Sequence, residues 1–287
     1  MSSCYKHLNS KQTQPDGSEK QYYSRVPTDI LKNVKNEISN LLEEGLDNEY
    51  ISKDEFEAMD PSEKGPGKFY ELFKVHKEHI PGETPPERPI ISGSGSVTEN
   101  LGLFVEHSIK DLANKHDTFL QDTPDFLRAI ESLNENGPLP DNAIIVTIDV
   151  SGLYTNIPQE EGIEAVREAL YERSNSEVPT EFLIRMLEIV LKHNVFEFNK
   201  ELFLQLIGTA MGSRPAPSFA NICMARKIDK QIIELANRLA GDNHPITFLK
   251  RFLDDIFMIY TGTLDCLHTF LDEQSSSQCH IQHQLML

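Results

Sequence analysis

The chain has 287 residues with 27 Lys+Arg against 45 Asp+Glu, a formal net charge of −18, and its 39% hydrophobic content suffices for one large domain or two small ones and excludes wholesale disorder. No apolar run approaches the roughly 20 residues of a membrane span, and the polar opening Met1-Ser2-Ser3-Cys4 is not a signal peptide. Cys4, Cys223, Cys266 and Cys279 lie far apart with no CxxC pair, which argues against a disulfide scaffold or a zinc site and for a reduced intracellular compartment, while the acidic balance, taken alone, argues against a nucleic-acid partner.

In chain order, Pro27-Thr28 opens a helical pattern with Leu31, Val34, Ile38, Leu41 and Leu42 on one face, and Gly45 stands where it should stop. Residues 41–60 hold eight acids and one base, Lys53, which reads as a solvated helix face and loop. After the breaker-rich stretch 61–67, Lys68-Phe69-Tyr70 and Arg88-Pro89-Ile90-Ile91-Ser92 read as two short strands joined by a proline-stiffened arm. Helices are expected over 101–112 and 124–133. Residues 143–149 form a short, mostly β-branched apolar run after the turn Pro140-Asp141-Asn142, the pattern of a buried strand. One helix should follow Pro158 and another the N-cap candidate Thr180, with Phe182, Leu183, Met186, Leu187, Val190 and Leu191 inward. Residues 195–199 and 202–207 flank Lys200-Glu201 as a hairpin, and a helix begins at Pro215 and Pro217 and runs toward Leu239. Residues 246–252 and 256–260 are two apolar strands separated only by Leu253-Asp254-Asp255. The last fourteen residues contain no Lys, Arg, Asp or Glu.

The Asp254-Asp255 doublet is odd, because a hairpin turn prefers Asn-Gly or other Gly-rich pairs. Asp149 likewise ends an apolar strand, where an uncompensated carboxylate is costly to bury. If the two strands are neighbours, Asp149 and Asp254 converge and their repulsion calls for a cation. Mg²⁺ answers that need with carboxylate, water and phosphate oxygens, and two such ions about 3.5–4 Å apart serve in-line phosphoryl displacement. Between these acids runs Gly208-Thr209-Ala210-Met211-Gly212-Ser213-Arg214-Pro215-Ala216-Pro217-Ser218, small residues entering a helix, where backbone can approach a ligand closely. No GK[ST] follows, so it is not a P-loop.

Strand–Asp149, small-residue loop–helix and hairpin–Asp254-Asp255, in that order, resemble the palm motifs of reverse transcriptases. The wording is closest to those of Penelope-like retroelements: Lys68-Phe69-Tyr70 with Lys74-Val75-His76-Lys77, Arg88-Pro89-Ile90-Ile91-Ser92-Gly93, Asp149-Val150-Ser151-Gly152-Leu153-Tyr154-Thr155-Asn156-Ile157-Pro158, Phe196-Glu197-Phe198-Asn199, Gly208 to Ser213, Ala216 to Asn221, and Phe252-Leu253-Asp254-Asp255. The match runs from about Tyr5 to about Glu273.

The resemblance implies an α+β fold, the fingers and palm of a right-hand polymerase, with an antiparallel palm sheet packed on helices and the thumb missing. It implies an N-terminal helical extension over 1–60, interleaved fingers and palm over 61–273, and an unrelated or disordered tail over 274–287. The implied activity is RNA-directed DNA polymerisation on an RNA template and a DNA primer with dNTPs, in the nucleus. Asp149 and Asp254 would hold two Mg²⁺ ions (Mn²⁺ being the alternative), with the Val150 carbonyl as a further ligand and Asp255 in support. Tyr154 would sit under the incoming sugar and exclude a ribose 2′-OH, unless it is an ordinary packed aromatic. Lys74 and Arg88 would neutralise the triphosphate. Ala210, Met211 and Gly212 would pack against the template base and nucleotide. Lys77 is either a nucleic-acid contact or a solvated lysine, and Arg214 either reaches backbone phosphate or caps the helix. Phe252 stands where the family has Tyr, and Leu72-Phe73 precede Lys74 where the family tends to have Leu-Pro. The alternative function is a non-catalytic nucleic-acid-binding protein that keeps the palm fold.

Overall fold

The structure, a computed structural model, describes residues 2–13, 19–75, 85–174, 177–241, 243–275 and 281–286. A short helix, α1 (Ser2–Leu8), precedes three short strands, β1 (Lys11–Thr13), β2 (Glu19–Gln21) and β3 (Tyr23–Val26). The expected N-terminal helical extension therefore carries strand as well. Helix α2 (Ile30–Asp47) buries Val34, Ile38, Leu41 and Leu42 as their spacing requires, but it runs through Gly45. Gly45 lies on the buried face, and a Cβ there would run into the Phe182 ring, so the missing side chain serves close packing rather than termination. Helix α3 (Lys53–Met59) starts with a reciprocal capping box between Ser52 and Glu55.

Strands β4 (Gly67–Phe73) and β5 (Glu87–Ser92) form an antiparallel ribbon with Leu72 opposite Arg88. Helices α4 (Glu99–Ala113) and α5 (Thr123–Glu135) follow, then β6 (Ile144–Val150), the single turn α6 (Leu153–Asn156), α7 (Gln159–Tyr171) and α8 (Thr180–Lys192). The residue capping α8 is Pro179, not Thr180: proline offers no side-chain acceptor, and Thr180 is already the first helical residue. Strands β7 (Val195–Phe198) and β8 (Glu201–Gln205) turn through Asn199-Lys200, both at positive φ, one residue earlier than the sequence pattern suggests; asparagine tolerates that conformation. The expected long helix after Pro215 is broken into α9 (Ala216–Cys223), a π-turn over Met224–Asp229, and α10 (Lys230–Leu239). The chain closes with β9 (Ile246–Phe252), β10 (Asp255–Tyr260), α11 (Leu264–Ser275) and β11 (Ile281–Met286), so part of the stretch read as a tail is strand. That hexapeptide alternates Ile, Gln, His, Gln, Leu and Met without a formal charge, a composition a sheet edge accepts.

The chain divides into two compact units. The first, Met1–Ile109 with Tyr154–Ala216, holds a five-stranded sheet of order β3-β8-β7-β4-β5, antiparallel except between β4 and β7. Its core is aromatic: Phe196 lies 5.5–5.7 Å from Phe69, Phe203 and Tyr23 by ring centroid, and all four rings are buried. Each buried ring contributes about 1.5–3 kcal/mol by area alone. The second unit, Lys110–Leu153 with Pro217–Leu287, holds a four-stranded antiparallel sheet of order β11-β6-β10-β9. No helix among the described residues is long and apolar enough to cross a membrane.

Candidate active site

In the second unit, β6 and β10 pair so that Ile148 faces Ile256 and Val146 faces Met258, all four buried. The same register carries the ladder outward to Asp149 directly opposite Asp255. Leu253 adopts φ +54°, which lets β9 reverse into β10 within the two residues Leu253-Asp254. The Val150 N–H donates to the Asp254 carbonyl at 3.1 Å, tying the turn to the end of β6. Three carboxylates are thereby gathered at one end of one sheet. Asp149 and Asp255 reach the surface and Asp254 is half-buried, whereas the Val150 side chain is in the core.

Partial desolvation of Asp255 by its neighbours, and then the charges of Asp254 and Asp149, raise its pKa above the ordinary carboxylate value although the residue as a whole is exposed. Acids that repel one another at an open sheet end suit a hard divalent cation, since oxygen donors and room for water are what Mg²⁺ takes. Asp149 and Asp255 border a cavity of about 750 Å³ whose walls include Phe126, Thr147, Phe252 and Phe257.

A buried arginine holds this turn. Arg251 has no exposed surface; its Nε donates to both Asp229 oxygens at 3.0 and 3.1 Å, and its Nη1 to Asn221 Oδ1 at 2.8 Å and to the Leu253 carbonyl at 3.1 Å. Thr118 Oγ1 donates to Asp229 Oδ2 at 2.5 Å. Asp229 ends the π-turn, and such an inserted residue re-aims the side chains that follow it. None of Arg251, Asp229 and Thr118 is among the residues the sequence motifs single out. The available signal was the basic pair Lys250-Arg251 inside the otherwise mostly apolar run 246–252.

The remaining candidates lie in the first unit, apart from Lys77, which falls outside the described residues. Lys74 follows β4, and its N–H donates to the Pro86 carbonyl at 2.7 Å across the ribbon that carries the exposed Arg88. Met211 and Gly212 run beside β5: Ile91 N–H donates to the Met211 carbonyl at 3.0 Å and Gly93 N–H to the Gly212 carbonyl at 3.2 Å. Gly212, at φ +120°, touches the Ile91 carbonyl so closely that a Cβ would collide with it. Gly208, at φ +71°, makes an equally close approach to the backbone of Tyr154 and Thr155, and Thr209 N–H donates to the Tyr154 carbonyl at 2.7 Å. The small residues of this loop thus serve packing of chain on chain. Ala210 departs from expectation: its side chain is buried in the aromatic cluster, while Met211 is half-buried and Gly212 exposed. Arg214 is exposed, and its Nη2 lies 3.3 Å from Glu99 Oε1. Tyr154 is half-buried in α6.

No family model and no curated protein matches the sequence. Solved structures do match by shape. Apo telomerase from Candida tropicalis truncated from its C-terminal domain superposes with a TM-score of 0.54 at 13% identity, over 77% of this chain and 51% of that one. Telomerase from Candida albicans in complex with a TWJ fragment of telomeric RNA gives 0.56 at 12%, over 79% and 44%. The BmCPV RNA-dependent RNA polymerase at its elongation state gives 0.51 at 13%, over 99% and 25%. The fold is that of polymerase fingers and palm. The chain spans about half the length of the telomerase chains and about a quarter of the viral one.

Proposed function

We propose that the chain is the fingers and palm of an RNA-directed DNA polymerase of the Penelope-like type, which joins a dNTP to a primer 3′-OH on an RNA template. The observation that carries this reading is the register of Asp149 opposite Asp255, with Asp254 at the adjoining turn bonded to Val150. Asp149, Asp254 and the Val150 carbonyl would hold two Mg²⁺ ions, or Mn²⁺, which supply activation of the primer hydroxyl and neutralisation of the leaving pyrophosphate. Asp255 keeps the local field negative and so favours cation capture. Lys74 and Arg88 neutralise the triphosphate, Arg88 through a forked contact and Lys74 as a point charge. Met211 and Gly212 support the template base and nucleotide, and Tyr154 occupies the space a ribose 2′-OH would need. The similarity of the fold to telomerase and viral RNA polymerase supports nucleic acid as the partner, and the sequence resemblance supports a retroelement enzyme that works in the nucleus.

The test is Mg²⁺-dependent primer extension by the purified chain. Asp254→Asn should lower extension on the order of 1,000-fold, the several kcal/mol that metal-held charge contributes at such a site, without lowering Tm. Full activity of that variant would sink the assignment. RNA binding with no extension in the wild type would favour the non-catalytic reading.

A further inference from the structure

Far along the sequence from the three aspartates, a second group of metal-binding side chains gathers in the first unit. His7, on α1, points its Nε2 at two glutamates of the β4–β5 ribbon, 3.3 Å from Glu87 Oε2 and 3.8 Å from Glu71 Oε1. The three donor atoms all lie within 4.8 Å of one another. Donors on a tetrahedral zinc ion at about 2.0–2.2 Å stand roughly 3.3–3.6 Å apart, so the spacing requires only side-chain adjustment.

One further observation bears on what belongs there. The Glu71 side chain is only 5% exposed, and its Oε1 is buried without a hydrogen-bond partner among the described residues. A carboxylate oxygen out of water and without a donor is costly, and its nearest cationic candidate is an imidazole beyond hydrogen-bond range. One nitrogen and two carboxylates around an unmet buried oxygen are the donor set of zinc and its neighbours in the first transition row, rather than of Mg²⁺, which prefers oxygen alone.

The geometry points to a structural transition-metal site, of the Zn²⁺ class, formed by His7, Glu71 and Glu87, that staples α1 to the β4–β5 ribbon. It uses no cysteine pair, which is why cysteine spacing gave no sign of it. It is independent of the polymerase reading, because neither its residues nor its test involves extension.

The full chain, stripped with a chelator, is titrated with Zn²⁺ by calorimetry in an Asp149→Asn/Asp254→Asn background, which removes the other acidic site. One equivalent should bind, with a rise in Tm, and Co²⁺ should give the visible absorption of a low-coordinate site with a nitrogen ligand. His7→Ala and Glu87→Gln, both changes at partly exposed positions, should each weaken binding at least tenfold and cancel the rise in Tm. If the group is only an imidazolium–carboxylate cluster, Zn²⁺ gives no saturable binding and no rise in Tm. Either that result, or one-equivalent binding unaltered in both variants, would overturn the proposal.

Discussion

At Tyr154 a single side chain decides between two roles. Its carbonyl is committed to Thr209 and the residue is half-buried, so the backbone is fixed while one face of the residue still reaches solvent. If that face abuts the incoming sugar, Tyr154→Ala should leave dNTP extension largely intact and relax discrimination against ribonucleotides by about 10- to 100-fold, the range that steric exclusion in a pocket supplies. Steady-state extension with paired dNTP and NTP checks it, and an unchanged ratio would mean the ring only packs. Glu99 makes a different kind of prediction. The Gly95 N–H at 2.9 Å first, then Lys64 at 3.2 Å and Arg214 at 3.3 Å, hold its carboxyl below the usual range. A depressed folded-state pKa stabilises the fold above the unfolded value and ceases to do so as pH falls through the folded one. Glu99→Gln should therefore cost about 1–2 kcal/mol at pH 7, with the gap to wild type closing as the pH drops below about 4. Thermal melts at several pH values measure it.

Between elements, the decisive interaction is the one Arg251 makes from β9 to the π-turn and back to its own hairpin. Breaking one partner of a buried ion pair costs about 3–5 kcal/mol, and replacing both by apolar groups often restores most of it. Arg251→Met should thus unfold at markedly lower denaturant, and Arg251→Met/Asp229→Leu should recover stability. Extension should not recover in the double variant, because the Leu253 carbonyl still lacks its donor and the acid-bearing turn is no longer held. Recovery of both would show that the arginine matters for stability alone. The hairpin itself was legible, since two apolar runs broken by Asp-Asp leave few alternatives. Its support was not: Asn221 and Asp229 lie 30 and 22 residues earlier, and a π-turn has no residue signature. Gly45 misled for a related reason, because the same residue that ends helices also permits a backbone and a ring to touch.

For the whole chain, charge is the property that sequence arithmetic handled worst. A net −18 argues against nucleic acid only if the charge is spread evenly, and eight of the acids sit in 41–60, along α2 and α3, in the loop between them and at Asp60 just past α3, all but the half-buried Glu44 exposed. Neutralising three exposed ones together, Glu43→Gln, Asp47→Asn and Glu49→Gln, should raise affinity for a template–primer several-fold at low salt. The gain should vanish near physiological salt, where screening acts within about 8 Å. Filter binding across a salt series tests this, and a gain that persists at high salt would mean the acids contact the nucleic acid directly. The order of elements along most of the chain was readable because their periodicities differ. The long-range partnerships were not, since nothing local in β3 or in residues 281–286 says which strand each will join.

Those partnerships also set a timetable for synthesis. Strand β6, the most apolar of the second sheet, leaves the ribosome about a hundred residues ahead of β10, and its other neighbour, β11, comes later still. At roughly 5–20 residues per second, Ile144–Val150 waits on the order of 5–20 seconds with both edges unpaired. During that interval the nascent chain carries an open, β-branched template for intermolecular pairing, and yield in a cell depends on what shields that strand until its partners emerge.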